Sequence, residues 1–387
     1  MRNSGIVLVG TLAAVMTVAS TPLAGQAPKA ADGKAGTTKT FSPPRTAWGD
    51  PDLQGIWRNF TAALNGAALD RRPFFSSPDE RPKQYAGREF LTDQEVAALQ
   101  RDAKKGAEER LAGENETFDV LGLPSYNAVW AANLDPIKMP KRTSALIDPP
   151  NGRLPPWTAE QVKRWEVREA QARDRGQGDT WEDRGFMERC LSSFMTGLNA
   201  VKQIVQGPGY VAFLMETGNS LDYRIVPLDG RPALGPKIGQ WLGDARGHWE
   251  GNTLVVEIIH FNDMQDGRIT PSSRNTFDNY VGSGEKLRLI QRFTPLDAET
   301  LEYRYTIDDP QTYTRPYTVA RELTRNDRYV VLPNQCHEGN DGLAGQLASS
   351  RADEKGALDA AAIFRTERRL ELEQLKAEWA TWQKQSR

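Results

Sequence analysis

Residues 301–307, Leu301-Glu302-Tyr303-Arg304-Tyr305-Thr306-Ile307, alternate apolar and polar side chains without interruption. Successive side chains of an extended strand point to opposite faces, so the leucine, the two tyrosines and the isoleucine share one face. This stretch therefore predicts a strand over 300–308 with one buried face and one solvated face.

Further strand candidates occur on both sides of this stretch at hairpin spacing. They are short runs rich in β-branched and aromatic residues, separated by turns that contain glycine or proline: 201–206, 210–216, 222–228, 253–261, 285–294, 317–324 and 328–332. No helical pattern interrupts the series. The sequence therefore predicts a mainly β protein with flanking α-helices, built as an antiparallel β-barrel, meander or sandwich.

Helices are predicted on either side of the strands. Thr92 and Thr158 are each followed three residues later by Glu or Gln, which is the pattern of an N-terminal capping box. The C-terminal residues are rich in Ala, Leu, Glu, Lys and Arg, as exposed helices are. The predicted organisation is one β-rich domain over 48–350, with a helical part at about 90–180 and strands at about 200–335, followed by a C-terminal helix over 351–387.

The N-terminus has the features of a secretory signal peptide. A charged start at Arg2 precedes a short apolar run, and small residues follow as far as Ala27. The run is too short to span a bilayer comfortably, and no later segment is apolar for the roughly 20 residues that a membrane helix needs. We therefore expect a signal peptide over 1–27, a flexible leader over 28–47, and a periplasmic or secreted protein without membrane insertion.

Export changes the interpretation of the two cysteines. Disulfides persist in oxidising compartments, so Cys190 and Cys336 are predicted to pair, with two buried free thiols as the alternative. A bridge would tether His337 and Glu338 beside Arg189, because these residues adjoin the paired cysteines.

Composition limits the possible partners. The chain carries 49 basic and 51 acidic residues, a formal net charge of −2 at pH 7, which argues against a nucleic-acid partner. The sequence contains no phosphate-binding loop, no dinucleotide glycine pattern and no Gly-x-Ser-x-Gly elbow. The prediction is a protein that acts on a small-molecule ligand or substrate without a cofactor.

The histidines are not arranged for a common metal site. Gly251-Asn252 is predicted to be a two-residue hairpin turn, which pairs His248 with Val255 on one face. His260 then falls on the opposite face, among apolar residues of the same strand. No metal site is therefore predicted, although a bulge in the strand would reopen that alternative. His260 is expected to be a hydrogen-bonded residue of the core or of a cavity wall.

Acid–base chemistry is concentrated at His337 and Glu338. They combine a group that titrates near neutral pH with a neighbouring carboxylate. They follow the last strand candidate, so they are expected at the rim of the sheet, where binding residues commonly lie. The alternative is that both satisfy backbone groups of a loop held by the disulfide. Ser192-Ser193, close to Cys190, offers a weaker serine–histidine combination.

A second polar cluster spans 241–250. Asp244 and Arg246 are two residues apart, so in an extended segment they share a face and can form an ion pair. Trp241 and Trp249 offer flat surfaces on which a sugar or an aromatic ligand can stack. The alternative is a structural ion pair at the start of a hairpin, beside core tryptophans.

Three motifs resemble those of a family of exported bacterial proteins. They are Trp-Gly-Asp-Pro-Asp-Leu-Gln-Gly-Ile-Trp at 48–57, Trp-Leu-Gly-Asp-Ala-Arg-Gly-His-Trp-Glu-Gly-Asn-Thr-Leu-Val-Val at 241–256 and Cys-His-Glu-Gly-Asn at 336–340. The resemblance implies export and brings no catalytic residues; His260 stands where that family has Asn. Gly55-Ile56-Trp57 also resembles the Gly-x-Trp of lipocalin-like barrels, which implies a ligand-holding interior.

These observations favour a metal-independent enzyme, a hydrolase or lyase. His337 and Glu338 would perform the acid–base chemistry, and the ion pair of residues 244 and 246 would anchor the substrate. The first alternative is a non-catalytic periplasmic binding protein for a small apolar, aromatic or sugar ligand, with the two tryptophans and His260 among its binding residues. The second is a structural or interaction protein that docks through residues 48–57.

Overall fold

One antiparallel sheet organises the fold. The computed structural model describes residues 41–59, 88–102, 105, 141–143, 145–152, 154–173, 189–190, 201–217, 220–262, 282, 284–331, 343–345, 347–348 and 358–385. All of these residues belong to one compact unit, Phe41–Arg387.

The described strands form a nearly closed barrel. In chain order they are β1 (Gly55–Asn59), β2 (Leu146–Asp148), β3 (Val201–Gly207), β4 (Tyr210–Thr217), β5 (Ser220–Pro227), β6 (Asp244–Glu250), β7 (Thr253–Ile259), β8 (Arg288–Pro295), β9 (Thr300–Asp308) and β10 (Tyr317–Arg325). Nine of them lie in the spatial order β5-β4-β3-β1-β10-β9-β8-β7-β6, and β2 pairs with β10. The edge strands β5 and β6 contact each other. The predicted mainly antiparallel β fold is confirmed, in its barrel form.

Gly247 lets the two edges of the barrel approach each other. A Cβ atom at this position would lie 2.7 Å from both Val226 Cγ1 and Leu228 Cδ2. Side-chain carbons do not pack at such a short distance, so β6 comes this close to β5 because residue 247 has no side chain.

Local strand patterns predicted much of the register. The hairpin at Gly251-Asn252 is confirmed, since Glu250 pairs with Thr253 and His248 pairs with Val255. β9 spans the predicted 300–308, and its predicted apolar face is fully buried. The strand predicted over 328–332 is wrong for residues 328–331, which form a turn and irregular chain beyond the end of β10.

β1 joins two meanders into one barrel. β3, β4 and β5 follow one another as hairpins, as do β6 to β10, and β1 lies between β3 and β10. Trp57 is paired with Lys202 on one side and with Arg325 on the other. The barrel therefore depends on the pairing of β1 with two strands that are far from it in the sequence.

The segment before β1 runs from the β6–β7 turn to the end of β3. Arg45 Nη2 donates a hydrogen bond to Asn252 Oδ1 in that turn (3.1 Å). The backbone N–H of Leu53 donates to the buried Gln206 Oε1 (2.6 Å), and Gln206 Nε2 donates to the carbonyl of Pro51 (3.0 Å). Residues 41–54 therefore pack over one end of the barrel.

The helices begin where their caps predict. Helix α1 is described over 93–102 and follows Thr92, whose hydroxyl accepts a hydrogen bond from the N–H of Glu95 (3.3 Å). Helix α2 (Ala159–Arg173) starts after Thr158, which accepts from the N–H of Gln161 (3.1 Å). The predicted C-terminal helix is α3 (Leu358–Gln385), which contacts α2. None of the described helices is both long and apolar enough to cross a membrane.

Candidate functional site

The barrel interior contains buried polar side chains from five strands. They are Lys202 on β3, Arg224 on β5, Gln291 on β8, Tyr303 on β9 and Arg321 on β10, and we call them the interior polar cluster. Each is at most 9% exposed to solvent. Three of the five are basic residues, which rarely occupy the inside of a protein.

Strand alternation directs these side chains inward. On β3, Lys202 and the buried Ile204 are two residues apart, and on β10 Arg321 and the buried Leu323 are spaced in the same way. Tyr303 lies directly opposite Arg321 in the ladder that joins β9 to β10. The polar residues thus occupy positions in the inward-facing set of each strand.

Hydrogen bonds connect three members of the cluster across the barrel. Arg224 Nη1 donates to Gln291 Oε1 (3.1 Å), and Gln291 Nε2 donates to the hydroxyl of Tyr303 (2.5 Å). Arg224 Nη2 also donates to the carbonyl of Leu242 (3.0 Å). Lys202 Nζ lies 5.0 Å from the centre of the Tyr303 ring, within cation–π range. These contacts link four of the five side chains, Lys202, Arg224, Gln291 and Tyr303.

Burial shifts the pKa of two members of the interior polar cluster. Burial, followed by the positive charges of Arg321 and Arg224, lowers the pKa of Lys202 from 10.5 to about 7. Burial raises the pKa of Tyr303 above its ordinary value, so this hydroxyl is protonated at neutral pH. Lys202 therefore exchanges between its charged and neutral forms near neutral pH.

The buried carboxylates of the described residues lie elsewhere. They are Asp244 and Asp309. Asp244 begins β6 and forms an ion pair with Arg246. Asp309 lies between β9 and β10, where its Oδ1 accepts from the N–H of Gln311 (3.1 Å). The described members of the interior polar cluster thus include three basic side chains and no carboxylate.

The predicted ion pair between Asp244 and Arg246 is confirmed. Both side chains also form hydrogen bonds with the backbone. Asp244 Oδ2 accepts from the N–H of Leu234 (2.6 Å). Arg246 donates through Nε and Nη2 to the carbonyl of Pro232 (3.1 and 3.0 Å). The pair therefore fastens the connection between β5 and β6, which matches the structural alternative for these residues.

The two tryptophans of the predicted binding cluster lie at different ends of β6. Trp241 precedes the strand, whereas Trp249 is its penultimate residue and packs against the core. Trp249 is five positions after Asp244, which corresponds to roughly 16 Å along a strand. The structure thus does not bring Trp249 together with the ion pair.

His260 lies beyond the end of β7. Its φ of 56° is in the left-handed region, so the alternation that predicted its face ends at Ile259. Its carbonyl accepts from the N–H of Gln240 (2.9 Å), and its Nδ1 is buried without a hydrogen-bond partner among the described residues. Those residues contain no group of three or more His, Cys, Asp and Glu side chains placed to hold a metal ion.

The residues predicted to perform acid–base chemistry are not part of the described chain. His337 and Glu338 fall outside it, as does Cys336. Cys190 is described, is half-buried and has a φ of 56°. The geometry of the proposed loop therefore stays a prediction.

The interior polar cluster was not predicted, although the sequence contains a signal for it. In Lys202-Gln203-Ile204 and in Leu289-Ile290-Gln291-Arg292-Phe293, a polar residue shares the parity of the buried apolar residues. Such a polar residue in the inward set of a strand marks either a bulge or a polar interior.

Comparison with protein-family models, curated proteins and solved structures gives no match to this chain.

Proposed function

We propose that the protein binds a small organic molecule inside its barrel. The observation that carries this proposal is the interior polar cluster, whose buried side chains converge from five strands. A barrel of about eight strands holds either packed side chains or one small ligand, and nine strands enclose slightly more. Hydrogen-bonding groups fixed in an otherwise apolar interior are what small-molecule sites use to orient a ligand.

The wall beside the cluster suits an apolar or aromatic ligand body. Phe213 stacks on Phe293 with ring centres 4.8 Å apart, and Phe293 stacks on Tyr303 at 4.9 Å. This ladder of three rings leads directly to the polar cluster. The proposed ligand therefore has an apolar or aromatic body and one polar end.

A neutral fluorescent probe tests binding in the interior. N-phenyl-1-naphthylamine is expected to become fluorescent with the protein, and Val226→Phe is expected to weaken its binding by about tenfold or more because it fills the inside of the barrel. Ile225→Phe is the matched control, since Ile225 is the next residue and points outward, 59% exposed. Its affinity should equal that of the unchanged protein.

Two outcomes would reject interior binding. One is the absence of probe fluorescence, and the other is an equal loss of affinity in both variants. Thermal unfolding of each variant establishes that it is folded. Should Val226→Phe fail to fold, Val256→Phe on β7 provides a second interior substitution, because Val256 is also fully buried.

Export and the disulfide are part of the same proposal. The signal-peptide pattern over 1–27 and the exported-family motifs support a periplasmic or secreted protein. The described residues contain no free cysteine, which supports a bridge between Cys190 and Cys336. The intact mass of the unreduced protein, compared before and after reduction, is expected to rise by two hydrogens; an unchanged mass would mean free thiols.

An acid–base enzyme that uses His337 and Glu338 is the second candidate. Lys202 favours it among the described residues, since a side chain that titrates near neutral pH can transfer protons. Turnover of a ligand that His337→Ala abolishes, in a protein that remains folded, would support this candidate. Equal turnover by His337→Ala would reject the role of His337.

A further inference from the structure

We infer that the protein forms a reversible dimer through one apolar outer face of its barrel. Strands β3, β4 and β5 build this face, and the partner that covers it is a second copy of the same chain. The dimer concerns the outside of the barrel, so it goes beyond the proposed function and does not depend on the ligand proposed for the inside.

The outward-facing side chains in the middle of β3, β4 and β5 carry no charge. Strand alternation places them on the opposite side of the sheet from the buried residues of the same strands. The ladders that join the three strands align these side chains in neighbouring rows. They are Val205, Ala212 and Ile225 in one row, Gln203, Leu214 and Tyr223 in the next, and Tyr210 at the start of β4, and we call them the apolar outer face.

The large side chains of the apolar outer face are exposed to solvent. Tyr223 is 70% exposed and Ile225 is 59% exposed, while Tyr210 and Val205 are 43% and 37% exposed. Apolar residues that are exposed singly are common on protein surfaces, whereas a contiguous patch of them marks an interaction surface. The alignment of these residues in adjacent rows makes the patch contiguous.

Charge distinguishes this face from the outer face of β6 to β9. Ion pairs cover those strands: Glu250 with Arg292, Glu257 with Arg288, and Glu302 with Arg304. In a two-fold dimer, residues near the axis lie close to their own copies, so charged residues there repel each other. Two copies of the apolar outer face meet without that repulsion. Tyrosine side chains without charged neighbours are also typical of the centre of protein interfaces.

The connection between β5 and β6 adds to the exposed apolar surface. Asp244 and Arg246, in the outward-facing set of β6, hold this connection through hydrogen bonds with Leu234 and Pro232. The connection therefore borders the apolar outer face, because β6 contacts β5. Within it, Leu234 is 43% exposed and Ile238 is 51% exposed.

The exposed area matches a reversible dimer. At about 200 Å² for a large side chain, the exposed fractions of these two residues and of the four on the strands correspond to roughly 600 Å². A standard protein interface buries about 800 Å² on each partner, and obligate dimers bury considerably more. The surface therefore suits two copies that associate and dissociate.

A lipid surface matches this face less well. Anionic membranes attract clusters of basic residues, and each such residue contributes about 1 kcal/mol. The apolar outer face has none. The basic residues of the adjoining connection are Arg231, which is paired with Asp229, and Lys237. One unpaired lysine is too little to hold the protein at a membrane.

Sedimentation equilibrium of the mature protein tests the dimer. Between about 1 and 300 μM the average mass is expected to rise from that of one chain towards twice that value, with a dissociation constant in the micromolar range. Ile225→Arg is expected to weaken the dimer at least about tenfold, because it places a positive charge in the contact on both copies. Ile225→Val, which keeps the surface apolar, should retain most of the affinity.

Leu370→Arg is the matched control. Leu370 lies on α3 and is 61% exposed, almost the same as Ile225, so the variant adds the same charge at a different surface. Its dimerisation should equal that of the unchanged protein. Thermal unfolding establishes that each variant is folded, and Tyr223→Arg takes the place of Ile225→Arg should the latter fail to fold.

Three results would overturn the inference. The first is the mass of a single chain throughout the concentration range. The second is equal dimerisation of Ile225→Arg and the unchanged protein, because the contact would then lie on another surface. The third concerns vesicles of phosphatidylglycerol and phosphatidylcholine, which should not sediment the protein. Sedimentation of the unchanged protein with them, but not of Ile225→Arg, would make the face a membrane-docking surface.

Discussion

Replacing Lys202 with methionine is expected to raise the free energy of unfolding of the unliganded protein by about 4 kcal/mol at pH 7. In the unfolded chain this lysine has its ordinary pKa of 10.5, whereas in the folded protein the pKa is about 7. Each unit of that difference corresponds to about 1.4 kcal/mol of destabilisation. Methionine has a similar unbranched stem and no charge, so it removes the destabilisation without leaving a large cavity.

The pH dependence of this effect has a defined sign. Between pH 7 and 10.5 the unfolded lysine holds a proton that the folded one has released, so the stability of the unchanged protein rises with pH. Below this range both states are protonated and the destabilisation is complete; above it both are neutral and the destabilisation is absent. Urea unfolding at about pH 6, 8 and 10 should therefore show the advantage of Lys202→Met shrinking as pH rises.

Lys286→Met is the control for a general effect of removing a positive charge. Lys286 is largely exposed in the turn before β8, so this variant should follow the stability curve of the unchanged protein. If Lys202→Met were no more stable than the unchanged protein at low pH, a carboxylate of the chain itself would be neutralising Lys202.

The expected gain in stability also bears on why the cluster exists. Proteins commonly keep destabilising groups where a ligand needs them, since binding free energy compensates for the strain. A core of apolar residues would hold this barrel together better than Lys202 and its two arginine neighbours. Their position in the interior therefore supports the proposed binding site.

The parts of the fold that depend on neighbouring residues were predictable. The two-residue turn at Gly251-Asn252 fixes which residues of β6 and β7 face each other, so the pairing of His248 with Val255 followed from parity alone. The alternation within 301–307 predicted a buried face in the same way. Both predictions needed no knowledge of any other strand.

The parts that depend on distant pairing were not predictable. β1 is a strand because its residue Trp57 pairs with Lys202 and with Arg325, which are both far away in the sequence. β2 has only three residues. Residues 328–331 have strand-like composition but are not paired in the described structure. Intrinsic preference is a weak guide where the partner strand decides the outcome.

The candidate site shows the same division. Asp244 and Arg246 were predicted to pair because they are neighbours on one face of a strand. The interior polar cluster joins β3, β5, β8, β9 and β10, and only closure of the barrel brings these strands together. Each inward polar residue can be recognised separately in the sequence, but the sequence does not indicate that these residues converge in one place.

Asp244→Ala is expected to lower the free energy of unfolding by about 3 kcal/mol, since it breaks a largely buried ion pair and leaves a backbone N–H unsatisfied. Asp244 is 6% exposed, and its two oxygens accept from Arg246 and from the N–H of Leu234. Asp244→Asn retains an oxygen for that N–H and should lose about half as much. Urea unfolding measures both variants.

Asp229→Ala is the matched control, because Asp229 forms the same kind of pair with Arg231, two residues away, but in an exposed turn. Its stability should stay close to that of the unchanged protein, as exposed pairs contribute little. The comparison also decides what the buried pair is for. If it anchored a ligand, Asp244→Ala would weaken ligand binding and leave unfolding unchanged. If it fastens the β5–β6 connection, Asp244→Ala lowers the free energy of unfolding. Because that connection borders the gap between the barrel edges, any loss of ligand affinity should then follow the loss of stability.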